Sequence, residues 1–151
     1  MMIECPQCTP PQQYVLEQLQ VTAGVTDRTA LAVILGNIQQ ESNFKHNICE
    51  GGAVMPYDQC LRGGYGLIQW TSKHRYDGLG TFCADQNADP SSLECQTKYM
   101  IRELRFRDDL SSFLTNHQTI PYYMNAAYYW LGWGVHGNRT NYSYSFLTKL
   151  Q

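Results

Sequence analysis

An apolar helical stripe most constrains the fold of this chain. Residues 29–42 read TALAVILGNIQQES, a run made mostly of good helix formers. Its apolar side chains recur at intervals of three and four residues, at Leu31, Ile34, Leu35 and Ile38. This spacing predicts an amphipathic helix with one buried face. Thr26 is expected to cap the helix, and Asp27 suits its positive end.

The remaining pattern predicts further helices around one irregular insertion. Thr9-Pro10-Pro11 indicates the start of a first helix over about 10–22. Between about 45 and 88 the helical period is lost and glycine accumulates, which favours long loops with a short hairpin near 63–70. A helix then opens at 89–91, and shorter helices are predicted around 108–115, 122–131 and 140–150. We expect one mainly α domain of the α+β type over residues 1–151.

Charge and composition exclude several classes of function. Of the 151 residues 16% are charged and 43% hydrophobic, and the net charge is −2 with a pI near 6.0. Because lysine and arginine form no clusters, nucleic acid is not an expected partner. No apolar run approaches the roughly 18 residues of a membrane span, and the N-terminus lacks the regions of a signal peptide.

The cysteines indicate a disulfide framework. There are six, at Cys5, Cys8, Cys49, Cys60, Cys83 and Cys95. Six cysteines allow fifteen pairings, and the sequence does not choose among them. Pairing between neighbours would join Cys49 to Cys60 and Cys83 to Cys95, stapling two loops and implying an oxidising compartment. The alternatives are free thiols, or a zinc site on Cys5 and Cys8 that would need two more ligands.

A glutamate continues the apolar stripe of the second helix. Steps of three or four residues lead from Ile34 through Ile38 to Glu41. Burial and the negative end of the helix dipole both disfavour a charged carboxylate, so we expect a raised pKa for Glu41. A carboxyl group that stays protonated near neutral pH can act as a general acid. The alternative is that the helix frays at Gln40 and the carboxylate turns into water.

Two motifs resemble those of the phage tail lysozymes. They are GNIQQESNF at 36–44 and GGYGLIQWTS at 63–72, which share with that family a helix ending in Glu-Ser, a loop, and Gly-Leu-x-Gln. The family is related to goose-type lysozymes and lytic transglycosylases. A looser likeness lies in NAAYYWLGWGVHG at 125–137, and the resemblance covers about residues 26–131. It implies a lysozyme-like fold whose glycine-rich insertion flanks the cleft.

The resemblance also implies roles for individual residues. Glu41 would be the catalytic acid, and Tyr128 or Tyr129 would lie against it. The substrate-binding candidates are Ser42, Tyr65, Gly66, Leu67, Gln69, Trp70, Tyr128 and Tyr129. The glycines would let a polysaccharide approach the backbone, or would simply form a tight turn. Tyr65 and Trp70 could stack on sugar faces, although Trp70 suits the core equally well.

The mechanism remains open between two glycosidase reactions. Hydrolysis requires a second carboxylate in most glycosidases, and Glu50, Asp58 and Asp77 are the candidates, with Asp58 our choice for holding the water. Lytic transglycosylases use a single glutamate and let the hydroxyl of the muramic acid attack instead. No cofactor and no metal are expected for either reaction.

The resulting hypothesis is a peptidoglycan-degrading glycosidase that cleaves MurNAc–GlcNAc bonds. Carriage on a virion tail, beside other phage tail proteins, would bring it to the periplasm or the cell wall without a signal peptide. The alternative from another class is a catalytically inert wall-binding or structural tail module that keeps the same fold.

Overall fold

A computed structural model describes residues 2–61 and 63–151, which are mainly helical. The α-helices are α1 (Pro10–Val21), α2 (Arg28–Ser42), α3 (Tyr57–Cys60), α4 (Lys73–Asp85), α5 (Leu93–Phe106), α6 (Ile120–Leu131) and α7 (Arg139–Lys149), and a 3-10 helix spans Asp108–Leu114. Within the described ranges no helix is both long enough and apolar enough to cross a bilayer.

The starts of the first two helices follow from local capping. Thr9 and Gln12 form a reciprocal capping box at α1, where each backbone N–H donates to the other side chain. At α2 the capping carboxylate is that of Asp27, which accepts from the backbone N–H groups of Thr29 at 3.0 Å and Ala30 at 3.1 Å. The prediction that Thr26 caps α2 is therefore wrong, because its hydroxyl bonds to Asn116 instead.

The prediction of an irregular segment over 45–88 is wrong for α4. Ser72 caps this helix through its hydroxyl, and Tyr76, Leu79 and Cys83 form its buried face. Gly78 and Gly80 disfavour a helix, so the sequence pattern did not predict α4. Both permit close packing, because a Cβ at Gly78 would collide with the hydroxyl of Tyr99 and one at Gly80 with that of Tyr57. Tertiary packing thus explains residues that helix propensity alone disfavours.

The chain separates into two compact units. Unit 1 comprises Met1–Gln40 and Ile101–Gln151. Its core contains α2, which is buried on every face from Ala30 to Ile38, so the predicted burial of one apolar stripe is too narrow. Large side chains of the C-terminal half are almost fully buried as well: Phe113, Tyr123, Trp130 and Phe146. The two ends of the chain also pair in this unit, because Glu4 and Gln151 exchange backbone hydrogen bonds of 3.0 and 2.8 Å.

Unit 2 comprises Glu41–Met100. Its glycine-rich segment is organised by isolated antiparallel bridges, which join Ile48 to Val54, Cys49 to Tyr65, and Tyr65 to Trp70. These are single bridges, without an extended strand in the described part of the insertion. The segment therefore holds its shape through a few backbone contacts and the side chains that pack on it.

Three disulfides connect the six cysteines. In unit 2 they join Cys49 to Cys60 and Cys83 to Cys95, which is the neighbour pairing considered from the sequence. A third joins Cys5 to Cys8 in unit 1. Because a disulfide sulfur is not a thiolate ligand, the zinc site considered for Cys5 and Cys8 does not fit this structure.

Candidate active site

Glu41 lies in the last turn of α2, which continues to Ser42. The alternative in which the helix frays at Gln40 is therefore incorrect, and the Glu41 side chain is half-buried. Two consecutive residues with left-handed backbone, Asn43 and Phe44, then turn the chain away from the helix axis. Phe44 is buried immediately after this turn and anchors it. Glu41 thus occupies a defined helix end and not a frayed terminus.

A buried hydrogen bond joins the two sequence motifs within unit 2. The hydroxyl of Ser42 donates to the backbone carbonyl of Leu67 over 2.8 Å, and Ser42 is only 5% exposed. The residue next to the glutamate therefore holds the Gly-Leu-x-Gln segment directly. This contact explains why a serine follows the glutamate, which the sequence pattern alone does not explain.

Gln96 holds the other side of the same segment, and sequence reasoning missed it. Its side-chain oxygen accepts from the backbone N–H of Leu67 at 2.9 Å, and its Nε2 donates to the carbonyls of His46 and Pro90. Gln96 is fully buried on α5. Gln96 lies three residues after Leu93 and four before Met100, so it falls on the apolar face of α5. The same helical spacing drew attention to Glu41 in α2, and it could have identified Gln96.

The glycines of the segment are packed against protein groups. Gly66 has a φ of 80°, and a Cβ there would lie 2.5 Å from Oε1 of Gln96. At Gly64 a Cβ would lie 2.8 Å from Oε2 of Glu50. Both positions need glycine for its left-handed backbone and for this close approach. The expected open approach of a polysaccharide to the Gly66 backbone does not fit, because Gly66 and Leu67 are both buried.

The stacking role expected for Tyr65 and Trp70 does not fit either. Both side chains have no exposed surface, so neither ring can face a sugar in this structure. The Tyr65 hydroxyl bonds to the carbonyl of Met55 and to Ser91, and the Trp70 ring packs 5.6 Å from that of Tyr99. Of the two readings left open for Trp70, the core is the one observed.

Tyr57 and Tyr76 stack on each other beside this core, with ring centroids 4.2 Å apart. Each hydroxyl donates to the backbone carbonyl of the other residue. Burial raises the pKa of Tyr57 to about 12, so its hydroxyl stays protonated at neutral pH. The pair is therefore a structural support for α3 and α4.

Gln69 is half-buried and already makes internal hydrogen bonds. Its Nε2 donates to the carbonyls of Gly66 at 2.9 Å and Ile48 at 3.2 Å, and its φ of 52° places it in the left-handed region. These bonds close the turn of the segment. The side-chain amide thus fixes the backbone, which leaves the oxygen as the atom that could accept from a sugar.

The candidate carboxylates of unit 2 differ in their surroundings. Asp58 is exposed in the first turn of α3. Asp77 is exposed and bonded to Lys73 at 2.6 Å. Glu50 is exposed too, but it follows the bridged residue Cys49 and lies over Gly64, on the segment that Ser42 holds. Glu50 therefore lies against the backbone of the motif segment. Asp58 acts on the segment through its charge, which adds to burial, the larger cause, in raising the pKa of Tyr65.

Tyr128 and Tyr129 lie in unit 1, near the end of α6, and both are exposed. Their rings contact each other edge to face with centroids 5.8 Å apart. Arg107 donates to the backbone carbonyl of Tyr129, which satisfies one group of the helix end.

The described residues contain no group of three or more His, Cys, Asp or Glu side chains placed to hold a metal ion.

The mainly helical fold is consistent with a lysozyme-like helical domain. The chain belongs to the phage tail lysozyme family, whose model matches residues 12–149. Membership indicates a lysozyme-like glycosidase that degrades cell wall, with peptidoglycan as its substrate. Comparisons with curated proteins and with solved structures gave no match.

Proposed function

We propose that this protein cleaves the MurNAc–GlcNAc bonds of peptidoglycan with Glu41 as the general acid. The observation that carries the proposal is the position of Glu41, half-buried at a rigid helix end beside Ser42, which bonds to Leu67. A carboxyl group in such a place keeps a fixed orientation, which acid catalysis requires. The Gly66–Gln69 segment, supported by Ser42 and Gln96, would border the substrate.

In the first step the Glu41 carboxyl would donate its proton to the glycosidic oxygen as the bond to the anomeric carbon breaks. The oxocarbenium-like centre is then attacked by one of two oxygens. In lytic transglycosylation the C6 hydroxyl of the same muramic acid attacks and returns a proton to the Glu41 carboxylate, giving an anhydro end. In hydrolysis a water attacks instead, gives one proton to a carboxylate base and leaves a reducing end.

The second carboxylate distinguishes these reactions. Asp58 was expected to hold the water, but its exposed position in α3 offers no contact to the motif segment among the hydrogen bonds described. Glu50 lies over Gly64 within that segment, so we propose Glu50 for this role if water is the nucleophile.

Tail carriage, beside other tail proteins, would deliver the enzyme to the wall and forms part of the same proposal.

The test compares Glu41→Gln, Glu50→Gln and Asp58→Asn with wild type on purified sacculi. Glu41→Gln is nearly isosteric, so it should keep the melting temperature and lose about 10²- to 10⁴-fold in lytic rate, the usual contribution of a general acid. Mass spectrometry of the released muropeptides would show whether the ends are anhydro or reducing. Reducing ends with a slow Glu50→Gln variant indicate hydrolysis, whereas anhydro ends with an active Glu50→Gln indicate transglycosylation.

Two outcomes would contradict the proposal. Full lysis by a folded Glu41→Gln protein would remove Glu41 from the mechanism. Absence of lysis by the wild type, combined with retained binding to sacculi, would support the inert wall-binding module instead. Asp58→Asn serves as the matched exposed-carboxylate control and should retain wild-type activity.

A further inference from the structure

An exposed aromatic cluster in unit 1 consists of Tyr128, Tyr129 and Trp133, together with His136. Tyr128 is 48% exposed and Tyr129 is 63% exposed, and Trp133 is half-exposed. The Tyr128 and Trp133 rings meet edge to face with centroids 5.2 Å apart, and Trp133 and His136 meet similarly at 5.7 Å. We call these four residues the aromatic platform.

Gly132 brings Trp133 back onto the end of α6. It has a left-handed backbone with φ 60° and ψ 40°, the conformation that commonly ends a helix, and its N–H donates to the Tyr128 carbonyl over 2.8 Å. The chain therefore reverses immediately after Leu131. This local geometry explains how a loop tryptophan reaches the helical Tyr128.

A buried arginine packs against Trp133 of the aromatic platform. The Arg139 guanidinium carbon lies 4.3 Å from the centroid of the Trp133 ring, and Arg139 is only 3% exposed. Its Nη1 donates to Asn37 over 3.1 Å, and Asn37 is itself buried on α2. A cation against the indole restricts the movement of the ring, and Trp133 keeps part of its surface exposed.

The loop that carries the platform is also held at its far end. The Gln40 side chain accepts from the backbone N–H of Asn138 over 2.9 Å and fills the space where a Cβ at Gly137 would lie. His136 bonds to Thr140 over 2.9 Å. Both ends of the 132–138 loop are therefore fixed, and the aromatic rings are preorganised and need little ordering on binding.

We propose that the aromatic platform is a glycan-holding surface that stacks the pyranose rings of peptidoglycan, with Trp133 as its central residue. Exposed, rigid aromatic rings offer apolar faces to the C–H faces of sugars, while the tyrosine hydroxyls and His136 offer polar groups to their hydroxyls. The occupant follows from the substrate of the family, so this inference rests on the proposed function. It adds a binding residue, Trp133, and a stacking mode to that function.

The test measures binding separately from cleavage. In a Glu41→Gln background, co-sedimentation with purified sacculi gives the dissociation constant for variants of the platform. Tyr129→Ala and Trp133→Leu should each weaken binding by about 3- to 10-fold, the range expected when one aromatic contact is lost. Trp133→Phe should recover most of the affinity, because it restores an aromatic face and the contact with Arg139.

A matched control and two readouts make the result decisive. Tyr144 on α7 is 52% exposed and lies outside the platform, so Tyr144→Ala should bind as the parent does. Melting temperatures would verify that every variant is folded. Unchanged binding by a folded Tyr128→Ala/Tyr129→Ala protein, or by folded Trp133→Leu, would overturn the proposal. Because binding is measured with Glu41 replaced, failure of the platform and failure of the Glu41 mechanism give different results.

Discussion

At the scale of single residues, two buried polar side chains carry the organisation of the candidate site. Ser42 and Gln96 bond to the carbonyl and the N–H of the same residue, Leu67. Buried polar groups keep such partners because an unsatisfied backbone group is costly in a protein interior. The position of the Gly-Leu-x-Gln segment is therefore set by two residues whose own chemistry need not involve the substrate.

We expect Ser42→Ala to weaken both stability and activity. The Leu67 carbonyl would lose its hydroxyl donor in a buried environment, which typically costs about 1–3 kcal/mol. Urea denaturation of the purified variant measures the free energy of unfolding, and lysis of sacculi measures the activity. Ser111→Ala, at an exposed position of the 3-10 helix, is the control and should change neither. A Ser42→Ala protein as stable as wild type would show that the bond contributes nothing.

The sequence predicts the surroundings of a residue less well when the residues that it contacts lie far away along the chain. Periodicity places Glu41 in line with the apolar residues of α2, and its predicted role as the acid comes from the resemblance of its motif to the phage tail lysozymes. Tyr65 and Trp70 are candidates for sugar stacking from the sequence, with the core left equally open for Trp70, and both are core residues in the structure. An aromatic side chain looks the same in sequence whether it meets a ligand or another ring, and only its packing partners decide.

At the scale of secondary-structure elements, α4 shows how packing overrides propensity. Gly78 and Gly80 weaken the helix locally but allow the hydroxyls of Tyr99 and Tyr57 to approach its backbone. The Cys83–Cys95 disulfide then ties α4 to α5, and a disulfide of this kind commonly contributes about 2–4 kcal/mol. The helix is thus stabilised by contacts from elsewhere in unit 2.

Gly80→Ala tests this explanation. In an exposed helix the substitution would stabilise by up to about 1 kcal/mol. Here the added methyl group would collide with Tyr57, so we expect destabilisation by about 1–3 kcal/mol. Thermal and urea unfolding measure the effect, and the Gly80→Ala/Tyr57→Ala double variant should be less destabilised than the sum of its two single variants, because the clashing ring is gone. Stabilisation by Gly80→Ala alone would contradict the packing explanation.

At the scale of the whole molecule, two helices pass through the boundary between the compact units. Helix α2 ends in unit 2 and α5 begins there, whereas most of α2 and the end of α5 belong to unit 1. Folding as a single domain, as expected from the chain length, remains a prediction.

We expect one cooperative unfolding transition for the non-reduced protein. Far-UV circular dichroism follows the helices, while near-UV circular dichroism follows the buried aromatic residues, including Trp70 in unit 2 and Trp130 in unit 1. The two signals should give the same midpoint, and the calorimetric and van't Hoff enthalpies should agree. Separate midpoints would show that the units unfold independently.

The amino-acid sequence was enough to predict the mainly helical character, the helix that ends beside Glu41, and the resemblance to the phage tail lysozymes. These features depend on periodicity and on residues close together along the chain. The tertiary structure decided the rest: the bond from Ser42 to Leu67, the role of Gln96, the burial of Tyr65 and Trp70, and the support of Trp133 by Arg139. Each depends on partners between 6 and 50 residues apart, which only the folded chain brings into contact.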